Sequence, residues 1–130
     1  MEEQLKAVEE FHNVFMQTNG TEPQLIAENE FLLRYNLMAE ENDEYKEACW
    51  NGDLVEIADA LGDQLYILCG TILKHGLQHK IENVFKEIHR SNMSKLDAEG
   101  KPIFREDGKI QKGPGYSPPD INKILFNNKS

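Results

Sequence analysis

The chain has 130 residues, 39% of them hydrophobic, and carries 23 acidic against 14 basic side chains for a formal net charge of −9. That length and apolar content suit one domain with a single core and exclude a disordered chain. The acidic balance argues against binding a nucleic-acid backbone, and no apolar run of about 18 residues is present to span a membrane.

The opening MEEQLKAVEEFH is acidic and amphipathic, unlike a signal peptide. Glu2–Thr18 reads as a first helix, with Leu5, Val8, His12 and Phe15 near one face and Phe11 beside it. Asn19-Gly20 is its stop signal, and Thr21-Glu22-Pro23 is a loop. His12 is expected to serve the core or a cap rather than catalysis. A second helix starts within Gln24–Glu30 and runs to about Cys49. Leu33, Leu37, Glu41, Glu44 and Ala48 fall along one stripe of it, so acids interrupt an apolar seam, flanked by Tyr45 and Trp50.

Asn51-Gly52-Asp53 is a sharp break. Asn or Gly can take the left-handed conformation that ends a helix, and Asp53 is a good N-cap for the next. So short a connection joins antiparallel neighbours. The third helix follows Asp53 and ends at Lys74-His75-Gly76, with a basic last turn and a glycine stop. Leu54, Ala58, Leu61, Leu65, Leu68 and Ile72 form its main apolar face, and Ile57, Ala60 and Ile67 add a second. One short neighbour cannot cover that much apolar surface, so a subunit partner is expected, in a homodimer or a dimer of dimers.

A fourth helix is predicted from about Gln78 to Ser94, with Ile81, Val84, Phe85 and Ile88 toward the core. Leu96–Tyr116 has no helical period. Asp107-Gly108 lies between Pro102-Ile103-Phe104-Arg105 and Lys109-Ile110-Gln111, which signals a hairpin. Neither Asp97–Gly100 nor Asp107–Gly108 matches a calcium loop. Gly113-Pro114-Gly115 and Pro118-Pro119 mark an irregular tail. The expected architecture is a single all-α domain: a four-helix bundle over about 1–95, then a C-terminal hairpin or irregular tail over 96–130. Cys49 and Cys69 lack metal-binding spacing and read as buried free thiols in a reducing cytoplasm.

The chemistry concentrates in Leu37–Gly70, which holds two acidic clusters. Glu40, Glu41 and Glu44 precede the break; Glu56, Asp59 and Asp63 follow it. Each cluster keeps the three- and four-residue spacing of one helix face, and Tyr66 and Gly70 continue the second stripe. Facing each other across a hairpin, these carboxylates must protonate or hold a cation. Oxygen-only donors favour Mg²⁺ or Mn²⁺ over Zn²⁺. The alternative is a solvated acidic face on two ordinary helices. That alternative suits the first cluster better than the second, whose helix is apolar almost all round.

Charge is unevenly distributed. Residues 1–85 hold 17 acids and 5 Lys/Arg, whereas residues 86–130 hold 6 acids and 9 Lys/Arg. An acidic body with a basic tail suits a metal site beside a phosphate site, or a tail that only neutralises the body. The sequence contains no GxxxxGK phosphate loop, no GxGxxG after a strand and no defensible Ser/His/Asp arrangement.

Glu40-Glu41-Asn42-Asp43-Glu44 followed by Glu56-Ile57-Ala58-Asp59 resembles the EExxE…ExxD signature of the all-α nucleoside triphosphate pyrophosphohydrolases. That group includes MazG, dimeric dUTPase and phosphoribosyl-ATP pyrophosphohydrolase-like proteins. Val8–His12, Leu33-Arg34, Asp63–Tyr66, His89–Lys95 and Gly113–Asp120 are similar to the MazG-like or phosphoribosyl-ATP pyrophosphohydrolase-like branch, so the resemblance covers most of the chain.

The resemblance implies a Mg²⁺-dependent split, with Mn²⁺ an alternative ion, of a nucleoside triphosphate into monophosphate and pyrophosphate. It implies metal ligation by Glu41, Glu44, Glu56 and Asp59, with Asp63 binding a second ion or holding a ligand in place. Glu40 is nominated to bind or deprotonate the attacking water, so Glu40 and Glu41 form the catalytic pair. Lys95, Arg90 and Arg105 would bring positive charge to the phosphates, Asn92 would bond the nucleotide and Tyr66 would flank it. Without the resemblance, Lys95 reads as a solvated helix end and Asn92 as a helix cap. Lys95 and part of Leu96–Tyr116 are expected to close over the phosphates, the alternative being a static tail. The implied role is house-cleaning of the nucleotide pool. Two alternatives stand beside it: phosphoribosyl-ATP hydrolysis in histidine synthesis, and a non-catalytic acidic module that binds a partner.

Overall fold

The computed structural model describes residues 1–126. Its elements in order are α1 (Glu2–Val14), α2 (Glu28–Trp50), α3 (Leu54–Lys74), α4 (Ile81–Met93), β1 (Ile103–Phe104), β2 (Ile110–Gln111) and α5 (Ile121–Phe126). The all-α expectation holds. The chain packs as two compact units, Met1–His79 and Lys80–Ser130.

In the first unit α3 is the common partner of α1 and α2. Helices α2 and α3 run antiparallel. Near their connection Gln64 Nε2 donates to Asn42 Oδ1 at 3.2 Å, and far from it Arg34 Nε donates to Thr71 Oγ1 at 3.0 Å. Ala48 and Ala60 are buried between them, and these small side chains let the backbones approach closely. The α1 face contributes Leu5, Val8 and His12, which meet Cys69, Ile72 and Leu73 of α3 as the buried core. His12 has the structural role its position suggested: it is buried, with Nδ1 2.5 Å from Asn19 Oδ1. Burial holds its pKa below the usual imidazole range, against the bond to Asn19.

Three helix ends share one device. At α2, Gly52 N–H donates to Cys49 O and Asp53 N–H to Ala48 O, with Gly52 at φ +64°. At α3, Gly76 N–H donates to Leu73 O and Leu77 N–H to Ile72 O, with Gly76 at φ +66°. At α1 the same pair of bonds runs from Met16 N–H to Asn13 O and from Gln17 N–H to His12 O. These are Schellman caps, and they explain why α1 stops at Val14 rather than Thr18. Asp53 caps α3 as expected, its side chain accepting from Glu56 N–H at 3.1 Å. The 17–24 loop then folds over the α3 C-terminus. Gly20 N–H donates to Leu73 O at 2.8 Å, Gln24 N–H to His75 O at 2.9 Å and Gln24 Nε2 to Lys74 O at 3.0 Å. A side chain at Gly76 would run into the Glu22 carbonyl, so this close approach needs glycine as well as the positive φ.

The second unit is stitched by polar contacts. Arg90 forms a paired bond with Glu87, at 2.8 and 2.9 Å, and also donates to Pro118 O at 3.2 Å. Glu87 accepts in addition from Asp120 N–H at 2.7 Å. The Arg90 bond and then the Asp120 N–H hold the Glu87 carboxyl down at about 2. Ser117 N–H donates to Ser94 Oγ at 2.9 Å. The predicted hairpin forms, with Ile103 opposite Gln111 and Phe104 opposite Ile110. Asp97, no calcium ligand by spacing, uses its Oδ1 to accept from Glu99 and Lys101 N–H groups. Asp120 accepts from Lys123 N–H at 3.1 Å and so opens α5, a short helix the Pro-rich stretch did not announce.

Several sequence expectations are corrected. Cys69 is buried but Cys49 is exposed, because Cys49 lies on the Tyr45 stripe of α2 and not on the seam. On α3 the buried positions are Ala60, Cys69, Gly70, Ile72, Leu73 and Lys74. Leu54, Leu61, Leu65 and Leu68 of its main apolar face, the surface for which a subunit partner is expected, are exposed in the single chain. Phe85 and Ile88 of α4 are exposed as well. Helix α4 starts at Ile81 rather than Gln78.

Met16 holds the cap position that glycine fills at the other two ends, at φ +59° with 91% of its surface exposed. The left-handed conformation costs an L-residue roughly 1–2 kcal/mol and the exposed side chain gives nothing back. Met16→Gly is therefore expected to stabilise the fold by about 1 kcal/mol, measured as a higher urea midpoint with unchanged slope.

Candidate metal centre

The α2–α3 seam brings acids together as the helical spacing requires. Glu41 and Glu44 come from α2 and Asp63 from α3, and one carboxylate oxygen of each lies within 4.8 Å of the others. No histidine or cysteine of the described residues joins them. Beside this trio a cavity of about 370 Å³ is lined by Glu44, Glu47, Ala48, Asn51, Glu56, Asp59 and Ala60. Glu44 belongs to both groups. Thus five predicted ligands are gathered: Glu41, Glu44 and Asp63 by direct convergence, Glu56 and Asp59 through the cavity they share with Glu44. Asp63, assigned an accessory part by sequence, stands in the tightest trio. Glu40 is exposed on α2, one turn before Glu44 on the same stripe.

The electrostatics of the trio are unfavourable as they stand. Burial pushes the Glu41 carboxyl up to about 7, helped by a hydrogen bond to Glu44 and by the negative charges of Glu44, Asp63 and Asp59. Glu41 Oε2 is buried and has no hydrogen-bond partner. A buried acceptor left unpaired costs free energy that a cation would recover. The donor set is oxygen-only, as a hard divalent ion prefers. The residues therefore fit a divalent cation.

The predicted nucleotide-binding residues belong to both units. Tyr66, in the first unit, is half-exposed and packs edge-on against Phe11, ring centres 5.6 Å apart. Arg90, Asn92, Lys95 and Arg105 all belong to the second unit. Arg90 is committed to Glu87 and Pro118, so a phosphate would compete with a paired carboxylate. Arg105 pairs with Asp107 at 3.1 Å within the hairpin turn, an exposed bridge of little energetic weight. Asn92 and Lys95 have no side-chain hydrogen bond or ion pair among the described residues. Sequence reasoning gave no part to Glu47 and Asn51, although they continue the Glu40–Glu44 side of α2 at helical spacing. It counted Arg34, which lies in the seam itself, only within the Leu33-Arg34 resemblance and gave it no site role.

The raised Glu41 pKa has a definite sign in stability. Folding raises this carboxyl from its ordinary 4.5 to about 7, so between those values the folded state holds a proton that the unfolded state has lost. The metal-free protein should lose thermal stability as pH rises through that window. Glu41→Gln should abolish this part of the slope and become more stable than the parent above about pH 7. Thermal melts across the window in the presence of a chelator measure it.

Comparison with known proteins bears on the family. A solved structure of a candidate NTP pyrophosphohydrolase from Exiguobacterium sp. 255-15 matches with a TM-score of 0.50 and 25% identity, covering 93% of this chain and 90% of that one. No curated protein matches the chain by sequence. The family model described as phosphoribosyl-ATP pyrophosphohydrolase matches residues 8–92, well over half the chain, including both acidic clusters. The acidic seam, its helical frame and this match together place the chain in the phosphoribosyl-ATP pyrophosphohydrolase family.

Proposed function

We propose that the chain is a Mg²⁺-dependent nucleoside triphosphate pyrophosphohydrolase that releases monophosphate and pyrophosphate and clears surplus or non-standard nucleotides. The observation that carries this reading is the convergence of Glu41, Glu44 and Asp63 around a buried, unpartnered Glu41 oxygen. Glu41, Glu44, Glu56 and Asp59 would hold the ion, with Asp63 completing the site. A bound Mg²⁺ supplies positive charge to the phosphates and acidifies water. Glu40, exposed and adjacent to Glu41, is the carboxylate that accepts the water proton. Phosphoryl displacement needs positioning and charge neutralisation more than covalent help, so a site of carboxylates without a nucleophile suits it. Asn92 and Lys95 are the groups assigned to the nucleotide, on the family resemblance.

The same reading includes a homodimer or a dimer of dimers. Leu54 of α3 is 75% exposed, with Leu61, Leu65 and Leu68 exposed along the same face, and on α4 Phe85 is 71% exposed. Apolar surface of this extent on a single chain favours a second copy as cover.

Three measurements test these proposals. A panel of nucleoside triphosphates with Mg²⁺ should give monophosphate and pyrophosphate; release of inorganic phosphate alone would refute the reaction class. Glu44→Gln and Asp59→Asn should each lower turnover by about a hundredfold or more, several kcal/mol of lost charge stabilisation. Light scattering at micromolar concentration should report a mass at least twice that of the chain, and a stable monomer would refute the assembly.

A further inference from the structure

Resting on the metal reading above, we propose that Arg34 is a positioning residue for the acidic centre: it locks α2 against α3 in the register that sets Glu41 and Glu44 opposite Asp63. Arg34 is seven residues before Glu41, and Ala48 is seven after it, so all three share the stripe of α2 that faces α3. The Arg34 guanidinium crosses the seam. Its Nε donates to Thr71 Oγ1 at 3.0 Å and its Nη2 to the Ile67 carbonyl at 2.7 Å. Thr71 Oγ1 donates to that same carbonyl at 3.1 Å, so one planar group grips a single turn of α3 at two defined points.

Gly70 makes this possible. A Cβ there would lie 2.5 Å from Nη2, so any larger residue would push the guanidinium out of the seam. Gly70 is seven residues after Asp63 on α3, as Arg34 is seven before Glu41 on α2. In an antiparallel pair the two spacings match. The contact at Arg34 and Gly70 therefore fixes, two turns away, which acid of α3 meets Glu41. Two turns are about 10 Å along the axis, short enough for a rigid pair of helices to transmit the register.

The interaction also has a cost that calls for an explanation. No carboxylate pairs with Arg34 among the described residues, although it is partly buried. An aliphatic residue would fill the seam without removing a cation from water. What an aliphatic residue lacks is direction. Apolar side chains tolerate sliding of one helix along another, whereas the fork of Arg34 has its two acceptors at one place on α3 only.

The test uses two readouts, one independent of metal. With Cys49 replaced by Ser, cysteines at Asn42 and Gln64, whose side chains bond across the seam, are bridged by a short bifunctional thiol reagent. Yield is compared with a pair at Asn42 and Leu68, one turn away. Arg34 protein should favour the 42–64 pair, and Arg34→Met should lose most of that preference. Separately, calorimetric Mg²⁺ affinity should fall about tenfold or more in Arg34→Met while its helical circular dichroism is kept. Arg34→Lys, which keeps the charge but not the fork, should fall between. Gly70→Ala should mimic Arg34→Met with the arginine still present, and it substitutes should that variant not fold. Val8→Ala, a core truncation between α1 and α3, should lower thermal stability and leave Mg²⁺ affinity unchanged. The proposal is overturned if folded Arg34→Met or Gly70→Ala keeps both the crosslinking preference and parental affinity, or if Val8→Ala weakens Mg²⁺ as much. A register change in Arg34→Met with no Mg²⁺ binding by the parent would sustain the positioning role and refute the metal reading instead.

Discussion

Helices α2 and α3 approach closely because the residues between them are small, and that closeness brings carboxylates within a few ångströms of one another. Ala48 and Ala60 are buried in the seam. At the same packing distance Glu41, Glu44 and Asp63 converge, and the Glu41 carboxyl is driven up to about 7 by burial and by its neighbours. Packing that benefits the alanines is costly for the acids. A protein of this size has only a small net stability, so a repulsion of this kind marks a site whose energetics are completed by something else. The oxygen-only donor set makes a hard cation the natural completion.

The rest of the first unit holds that seam in place. The 17–24 loop satisfies the C-terminal carbonyls of α3 with Gly20 and Gln24, and α1 lays Leu5, Val8 and His12 on the other side of the same helix. Schellman caps close α2 and α3 sharply, and the cap at Gly52 sets the short turn from which both acidic clusters run. Arg34 and Gly70 lie at the far end of the seam from that turn. The acids are thus framed by a tight connection on one side and a hydrogen-bonded contact on the other.

The second unit is organised differently. Its ordering comes from directed polar bonds: Glu87 to Arg90 and Asp120, Ser94 to Ser117, and Asp97 and Asp107 to backbone N–H groups in their own turns. Its large apolar side chains Phe85, Ile88, Phe104 and Ile110 are exposed, so backbone and side-chain hydrogen bonds fix what a core fixes elsewhere. The commitment of Arg90 to Glu87 leaves Lys95 as the cation in Arg90–Lys95 without a partner among the described residues, which separates two residues that sequence treats alike.

Much of the frame is determined by sequence alone, because local rules act over three or four residues. The helical spacing of Glu41, Glu44, Glu56, Asp59 and Asp63, the Gly52 break, the Asp53 cap and the Asp107-Gly108 turn are all set by near neighbours along the chain. What tertiary structure decided depends on distances that no local rule contains. Periodicity ranks Leu54, Leu61, Leu65 and Leu68 on the main apolar face of α3, and the buried positions of that helix include Ala60, Cys69, Gly70 and Leu73 instead. Hydrophobic pattern gives the amount of apolar surface and not the partner that covers it. Likewise, spacing makes Asp63 one acid among three, and only the register of two helices puts it against Glu41. Arg34 enters the sequence reading only as part of the Leu33-Arg34 resemblance; its place against Gly70 exists because two turns of separate helices meet, and a one-dimensional pattern carries no information on which turns those are.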